Sequence, residues 1–201
     1  MSYSALACIA IQANQNDQHG GQSIPNLDYG MAIGVRKTYK RHLRRNLAKT
    51  LDLADAVPDG MDSETAAENM LRELEETRGI RPIMADSVKM TAALAEMLTP
   101  ICGDKALREA QIIEKYTTRE IERSTYQAME AMIHNLNTMH SRAGAQVPFS
   151  SLNYGTDTSP EGRLVIRSIL NATDAGLGRG ETPIFPIQIF KIKEGVNYNT
   201  E

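Results

Sequence analysis

The stretch that decides the fold is residues 140–198, HSRAGAQVPFSSLNYGTDTSPEGRLVIRSILNATDAGLGRGETPIFPIQIFKIKEGVNY. Within it, residues 146–153 are short, apolar and flanked by glycines, which is typical of a buried parallel strand. Residues 184–192 form a second apolar run, and the segment between the two runs has a helical pattern. Connections of this kind between parallel strands are right-handed almost without exception. We therefore predict a βαβ unit with two adjacent parallel strands.

The connecting helix has clear start and stop signals. Ser159 is placed to cap its N-terminus, Pro160 suits the first helical position, and Glu161 faces the positive end of the helix dipole. Gly176 follows the last apolar position and can adopt the conformation that a helix C-terminus often requires. We predict a helix that begins at Pro160 and ends before Gly176.

The part before this unit is predicted to be mostly helical. Residues 4–16 are apolar nearly all round and should be covered on most sides, whereas residues 14–22 read as a polar, glycine-rich loop. Glutamines in that loop could hydrogen-bond a ligand or simply one another. A long helix over residues 26–54 has apolar positions at every fourth residue: Leu27, Met31, Val35, Tyr39, Leu43, Leu47 and Leu51.

Three more helices are predicted over residues 63–78, 86–98 and 104–141, with breaks at Pro82 and at Pro100 to Gly103. The predicted fold class is therefore α/β, with a helical N-terminal part followed by the βαβ unit. Two parallel strands leave unpaired edges and cannot complete a sheet alone. We expect the chain to be one piece of a longer protein that supplies the remaining strands.

Composition sets limits on function. The 201 residues are 41% hydrophobic and 23% charged, as in globular domains, and the net charge of −3 does not favour nucleic acid. The apolar run at residues 5–13 is too short to span a membrane. The two cysteines match neither a zinc site nor a disulfide framework, so we predict no metal in this chain and a reducing, cytoplasmic location.

Positive charge is concentrated in residues 36–49, which hold seven of the 22 Lys and Arg residues and no acidic residue. Lys37, Arg41, Arg44 and Arg45 fall on neighbouring turns of the long predicted helix and could present a phosphate-binding face. The alternative is a solvated face that balances the acidic helix at residues 63–76.

A second candidate site lies where the first predicted strand ends. Ser150, Ser151 and Asn153 are predicted at its carboxyl end, where ligands collect in parallel α/β folds, and are candidate substrate-binding residues. Thr156 and Asp157 follow, and the N-terminus of the next helix could hold an anion. The alternative is a capped helix after a buried strand, with no ligand.

The histidines, the glycine-rich segment and the cysteines match no known catalytic or ligand-binding pattern. The four histidines lack metal-ligand spacing, and the glycines of GLGRG do not form a dinucleotide fingerprint after a strand. Cys8 lies in an apolar helix, where a thiol behaves as a small hydrophobe, and Cys102 lies in a turn between helices. We assign no catalytic residue.

Five stretches carry a family resemblance: NQNDQHGGQSIPNLDYG, VRKTYKRH, QVPFSSLNYGTDTSPEGR, GLGRGETPIFPIQIFK and KEGVNY. They resemble the anaerobic (class III, glycyl-radical) ribonucleoside-triphosphate reductases. The resemblance implies a slice of a ten-stranded α/β barrel of the glycyl-radical type. In it, residues 1–56 would be dimer-interface helices with a candidate effector site, residues 57–143 a helical segment, and residues 144–201 the strand–helix–strand part.

The resemblance also implies a function. Such enzymes convert ribonucleoside triphosphates to deoxyribonucleotides for DNA synthesis through glycyl and thiyl radicals, with zinc, formate as the common reductant and dNTP or ATP effectors. They are cytoplasmic homodimers activated by a radical-SAM enzyme. The family's basic effector contact falls on Arg41, and Lys37 lies one turn earlier. The family's reactive cysteines fall before Ser4 and after Tyr198, so the chain alone is predicted to be inactive.

Two alternatives stay open at this point. One is a non-catalytic nucleotide-binding or dimerisation module that kept the fold. The other is a different glycyl-radical enzyme such as a formate-lyase, which the words TDTSPEGR and TPIFP and the basic helix disfavour.

Overall fold

The structure is a computed structural model that describes residues 2–18, 20–140 and 146–199. The described residues form helices α1 (Ser2–Asp17), α2 (Leu27–Leu53), α3 (Ser63–Arg78), α4 (Ser87–Cys102), α5 (Ala106–Thr138) and α6 (Pro160–Ala175) and strands β1 (Gln22–Ile24), β2 (Ser150–Tyr154) and β3 (Ile187–Phe190). Short 3-10 turns, Met84–Asp86 and Gly103–Lys105, precede α4 and α5. The chain is mostly helical with a small parallel sheet, consistent with the predicted α/β class.

The sheet has the strand order β1-β2-β3, and both neighbouring pairs are parallel. In the second pair Ser151 lies opposite Ile187, and Asn153 lies opposite Ile189. The predicted adjacent, parallel strands of the βαβ unit are thus confirmed. Both are shorter than predicted, because the flanking residues of 146–153 and 184–192 do not join the regular ladder.

The first strand was missed by the sequence prediction. The predicted loop at residues 14–22 is wrong at both ends, because α1 continues to Asp17 and β1 begins at Gln22. A strand of three residues is too short to show alternation of apolar and polar positions. Pairing with β2 defines it instead, together with a 2.9 Å hydrogen bond from Gln22 N–H to the Phe149 carbonyl.

Local signals predicted the helix ends well. At the start of α3 the Asp62 side chain accepts a 2.9 Å hydrogen bond from Thr65 N–H, and Gly79 closes the helix with a left-handed φ of 65°. At the start of α6 the Ser159 hydroxyl accepts a 3.1 Å bond from Gly162 N–H, and Pro160 is the first helical residue, as predicted. All seven apolar positions of the α2 pattern are buried.

Two helix predictions were wrong. The side chains of Leu6 and Ile9 on α1 are 63% and 55% exposed, so this helix is covered on the side of Cys8 and Ile11 but not on the other. Pro100 does not break the chain but lies in the last turn of α4. Near a helix end, a proline leaves only one carbonyl without its helical partner, which limits the cost.

The described chain forms two compact units. One comprises Met1–Val35 with Glu122–Glu201 and contains the sheet, whose buried residues include Leu152, Tyr154 and Ile169. The other comprises Arg36–Ile121, and its core includes Leu43, Leu71 and Leu94. The candidate substrate residues belong to the first unit and the candidate effector residues to the second.

Candidate functional site

The two faces of the sheet differ in burial. Along β2, Ser150, Leu152 and Tyr154 are buried on one face, whereas Ser151 and Asn153 are half-buried on the other. Because side chains alternate along a strand, Ser151 and Asn153 can meet one ligand that Ser150 cannot reach. Ser150 is only 1% exposed. Ser150 and Ser151 also begin the strand, so their predicted place at its carboxyl end was wrong.

The more open face of the sheet carries a polar pair contributed by two strands. The Ser23 hydroxyl of β1 lies 3.3 Å from Asn153 Oδ1 of β2, and Ser23 is the partner of Ser151 in the strand register. Ile187 and Ile189 of β3 lie beside them on the same face and are 45% and 41% exposed. This surface combines hydroxyl and amide groups with apolar side chains, a composition typical of small-molecule sites.

The loop that follows β2 is held by one buried carboxylate. Asp28, near the start of α2, is fully buried, and its Oδ2 accepts hydrogen bonds from the N–H groups of Gly155 (2.9 Å), Thr156 (3.0 Å) and Asp157 (2.9 Å). Its Oδ1 accepts a fourth bond, at 3.1 Å, from Tyr29 N–H. Several N–H donors that solvate a buried carboxyl group in this way offset the cost of its burial.

The next residues of the same loop are also satisfied internally. Asp157 Oδ1 accepts a 2.8 Å bond from Ser159 N–H, and the Tyr29 hydroxyl donates to the Thr156 carbonyl at 2.9 Å. A Cβ on Gly162 would lie 2.3 Å from Asp157 Oδ2, so only glycine fits there. Five of the N–H groups in this loop and at the start of α6 are therefore already paired, which favours the capped-helix interpretation.

Two asparagines hold the segments around β3. Asn137 on α5 accepts bonds from the N–H groups of Ile184 (3.0 Å) and Phe185 (3.2 Å) and donates to the Phe185 carbonyl. Asn197 donates to the carbonyls of Gly155 (2.7 Å) and Lys191 (2.8 Å). Both side chains fix the backbone of distant segments. Neither role could be recognised from the sequence, because the partners lie 42, 47 or 48 residues away, apart from the near contact with Lys191.

In the second unit, three residues of the basic cluster are paired with acidic side chains. Lys40 lies 2.7 Å from Glu68 of α3, Arg44 lies 2.9 Å from Glu64, and Arg45 contacts Glu120 of α5. The hydrogen bond from Lys40 lowers the pKa of Glu68. These pairs agree with the alternative of a face that balances an acidic helix.

Arg41 differs from these neighbours. It is exposed, and within the described ranges it makes no ion pair or side-chain hydrogen bond. Lys37 lies one helical turn earlier and does interact with other groups. The structure thus separates Arg41, the candidate effector contact, from the basic residues that have structural partners.

Comparison with known proteins decides the family. A family model described as anaerobic ribonucleoside-triphosphate reductase matches residues 1–201. The chain belongs to this family. The resemblance carried by the five sequence motifs is thereby confirmed, and nothing favours either alternative.

Curated anaerobic ribonucleoside-triphosphate reductases match over part of their length. The Haemophilus influenzae protein is 35% identical over 113 residues, which are 52% of this chain and 16% of that protein. The Salmonella typhimurium protein is 37% identical over 86 residues, 42% of this chain and 12% of that protein. The enzyme of Enterobacteria phage T4 is 39% identical over 83 residues, 41% of this chain and 14% of that protein. The matched part of this chain therefore spans less than a fifth of each relative.

The two cysteines of the chain are poorly suited to thiolate chemistry or to a disulfide. Burial raises the pKa of the Cys8 thiol to about 11, against a weaker lowering effect of a hydrogen bond to Asn135. A thiol with this pKa holds almost no thiolate at neutral pH. Cys102 is half-buried and unbonded to Cys8.

The described residues contain neither a metal-ligand cluster nor a membrane-spanning helix. No group of three or more His, Cys, Asp or Glu side chains in residues 2–18, 20–140 and 146–199 could hold a metal ion. His42 is buried beside Glu120, and burial lowers its pKa. Across these same ranges, none of the helices has the length and apolar character needed to cross a bilayer.

Proposed function

We propose that this chain is an internal part of an anaerobic ribonucleoside-triphosphate reductase, which converts ribonucleotides to deoxyribonucleotides by glycyl and thiyl radical chemistry for DNA synthesis. The observation that carries the proposal is the family match over residues 1–201. The full-length enzyme would work in the cytoplasm with a radical-SAM activating enzyme and formate as the reductant. The zinc of such enzymes would bind elsewhere, because the described residues offer no suitable ligand group.

The chain would contribute part of the wall of a ten-stranded α/β barrel. In the described residues, β1 and β3 each pair with another strand along one edge only. Apolar side chains around β3, including Ile184 at 76% and Ile192 at 70% exposure, would be covered by further strands and helices. The domain division at residues 1–56, 57–143 and 144–201 belongs to the same proposal.

The open face of the sheet would face the substrate. Ser151 and Asn153 share this face, and Ser150 does not, which supports a narrower site than the three residues predicted from sequence. Both side chains can donate and accept hydrogen bonds, as the hydroxyls of a ribose require. Neither residue is proposed to take part in radical transfer.

The test of this function is turnover by the full-length protein under anaerobic conditions, after treatment with its activating enzyme. We expect deoxyribonucleoside triphosphates to form, whereas the 201-residue chain alone should form none. Asn153→Ala and Ser151→Ala should lower kcat/KM by about tenfold or more, since each removes hydrogen bonds to a bound substrate.

Ser150→Ala is the matched control for this test. It removes a neighbouring hydroxyl that is buried on the opposite face and makes no hydrogen bond in the described chain, so kcat/KM should stay within twofold or so of the wild type. Activity that is lost equally in the Ser150 and Ser151 variants would contradict the assignment of the substrate face. A full-length protein that forms no deoxyribonucleotide would contradict the proposed function itself.

We further propose that Arg41 and Lys37 bind a dNTP or ATP effector, and that residues 1–56 take part in homodimer formation. The guanidinium of Arg41 supports the first part: it is exposed and has no ion-pair partner among the described residues, and Arg binds phosphate through charge-assisted hydrogen bonds. The exposed Leu6 and Ile9 of α1 support the second.

Calorimetric titration with dNTPs tests the effector surface. Arg41→Ala should weaken binding by roughly tenfold or more, whereas Lys49→Ala, which removes an exposed charge two turns further along α2, should change it little. Equal effects of the two substitutions would argue for diffuse electrostatic attraction and against a site at Arg41.

Sedimentation tests the proposed homodimer. Leu6→Glu should weaken association relative to the wild type, and an unchanged association state would refute the dimer proposal.

A further inference from the structure

A lysine side chain crosses the carboxyl edge of the sheet. Lys191 directly follows β3, and its N–H donates to the Tyr154 carbonyl at 2.7 Å, so the ladder continues one residue past the strand. Ile187 and Ile189 lie on the open face, and alternation places Lys191 on that face too. Its Nζ donates to the Pro25 carbonyl at 2.8 Å, just after β1. The Lys191 side chain therefore reaches from the end of β3 to the residue after β1, across the end of β2.

The partners of this ammonium group are neutral. Besides the Pro25 carbonyl, Nζ donates to Asn26 Oδ1. In the described part of the chain, no carboxylate forms an ion pair with Lys191. Carbonyl and amide oxygens orient an ammonium group but leave its positive charge uncompensated, and a lysine has three N–H donors. A fixed, uncompensated cation thus stands at the edge where parallel α/β folds bind ligands.

The Lys191 ammonium group lies at the end of a row of polar side chains on the open face. Asn153 lies one alternation before Lys191, and Ser151 lies one further back beside its register partner Ser23, whose hydroxyl bonds to Asn153. A ligand that follows this line would meet hydroxyl and amide groups first and the ammonium group at the strand ends. A ligand that complements this surface would have a polar, neutral part next to the hydroxyl and amide groups and an anionic part next to the ammonium group.

We propose that Lys191 binds the phosphate chain of a nucleotide whose sugar lies on the open face near Ser23 and Asn153. Lysine is a common phosphate ligand because its compact charge needs no fixed geometry from the anion. Ser23 becomes a positioning residue, since its hydroxyl donates to Asn153 Oδ1 and orients that amide. That the ligand is a nucleotide rests on the proposed function, whereas the phosphate site rests on the geometry around Lys191.

A purely structural role makes a different prediction. If Lys191 only braces β3 against the turn after β1, its removal changes stability but not the affinity of the folded chain for phosphate. The decisive measurement is therefore binding by folded variants, with urea unfolding as the check that each variant is folded. Lys191→Arg keeps the charge and should retain most of the binding.

The experiment titrates the 201-residue chain calorimetrically with a ribonucleoside triphosphate, inorganic tripolyphosphate and the phosphate-free nucleoside. Lys37→Ala and Arg41→Ala are introduced throughout, so that the candidate effector surface contributes nothing. We expect the triphosphate to bind most tightly, tripolyphosphate less tightly and the nucleoside far more weakly. Lys191→Gln should weaken binding of both phosphates about tenfold or more, whereas Lys193→Gln, an exposed lysine two residues on, should leave it within about twofold.

Each other outcome overturns part of the proposal. No phosphate binding by the parent chain, or equal weakening by the Lys191 and Lys193 substitutions, refutes the site. Equal affinity for tripolyphosphate and the nucleotide refutes the placement of the sugar near Ser23 and Asn153. A failure of the full-length protein to reduce ribonucleotides would refute the proposed function and leave these binding results standing, so the two failures are distinguishable.

Discussion

Replacement of Asp28 by alanine should destabilise the chain more than any other single change near the sheet. The substitution removes the acceptor of four N–H groups, those of Tyr29, Gly155, Thr156 and Asp157. An unpaired buried donor costs about 1–3 kcal/mol. Water can replace the carboxylate at the part-buried Thr156 amide, so the two buried amides dominate. We expect a loss of about 3–5 kcal/mol in the free energy of unfolding.

The assay is urea unfolding at neutral pH combined with hydrogen exchange of individual amides. Exchange should accelerate at residues 155–157, where the donors lose their acceptor, before it changes in α3 or α4. Asp28→Asn keeps one acceptor oxygen but turns an NH2 group towards Tyr29 N–H, so it should cost about half as much. This variant provides the measurement if the alanine variant does not fold.

Asp52→Ala serves as the control, because Asp52 is an exposed residue of the same helix. Its free energy of unfolding should change by about 0.5 kcal/mol or less. The account of the loop would be refuted if Asp28→Ala were no more destabilising than this control, or if exchange at residues 155–157 stayed at the wild-type rate.

Two further predictions concern packing and pH. Gly162→Ala should lower the free energy of unfolding by about 1–2 kcal/mol, because the added Cβ would displace the Asp157 carboxylate. A Cβ at Gly30 meets no atom within 4 Å, so Gly30→Ala should stabilise α2 by up to about 1 kcal/mol in the same urea assay. The folded-state pKa of Glu68 is lowered from its ordinary value of 4.5 by the hydrogen bond from Lys40, so the pair stabilises the fold above that value and loses its effect as the pH falls through the lowered pKa. Glu68→Gln should therefore be slightly less stable than the wild type at pH 7, and the difference should shrink as the pH falls through the lowered pKa of Glu68; a difference that does not change with pH would contradict this.

The parts of the fold that depend on neighbouring residues could be predicted from sequence. The caps at Ser159 and Gly176 and the buried pattern of α2 arise from contacts within a few residues, so the sequence displays their causes directly. The parallel pairing of β2 and β3 followed from the rule for βαβ connections.

The parts that depend on distant residues could not be predicted. β1 is a strand because Gln22 and Ile24 find partners about 130 residues later, and no local pattern marks it. Asp28 looks like an ordinary helix-start residue, yet its carboxylate holds a loop 127 to 129 residues away. The side-chain alternation that separates Ser150 from Ser151 was in principle visible, but the predicted strand began four residues too early, which placed both serines near its end.

The central claim is that β2 lies between β1 and β3 with all three strands parallel, because the open face, the substrate proposal and the Lys191 site all follow from that register. Backbone nuclear Overhauser effects in the isotopically labelled chain measure it directly. We predict cross-strand contacts between residues 23 and 151 and between residues 153 and 189, in the pattern of parallel pairs. An antiparallel pattern, or a β3 without contacts to β2, would contradict the account.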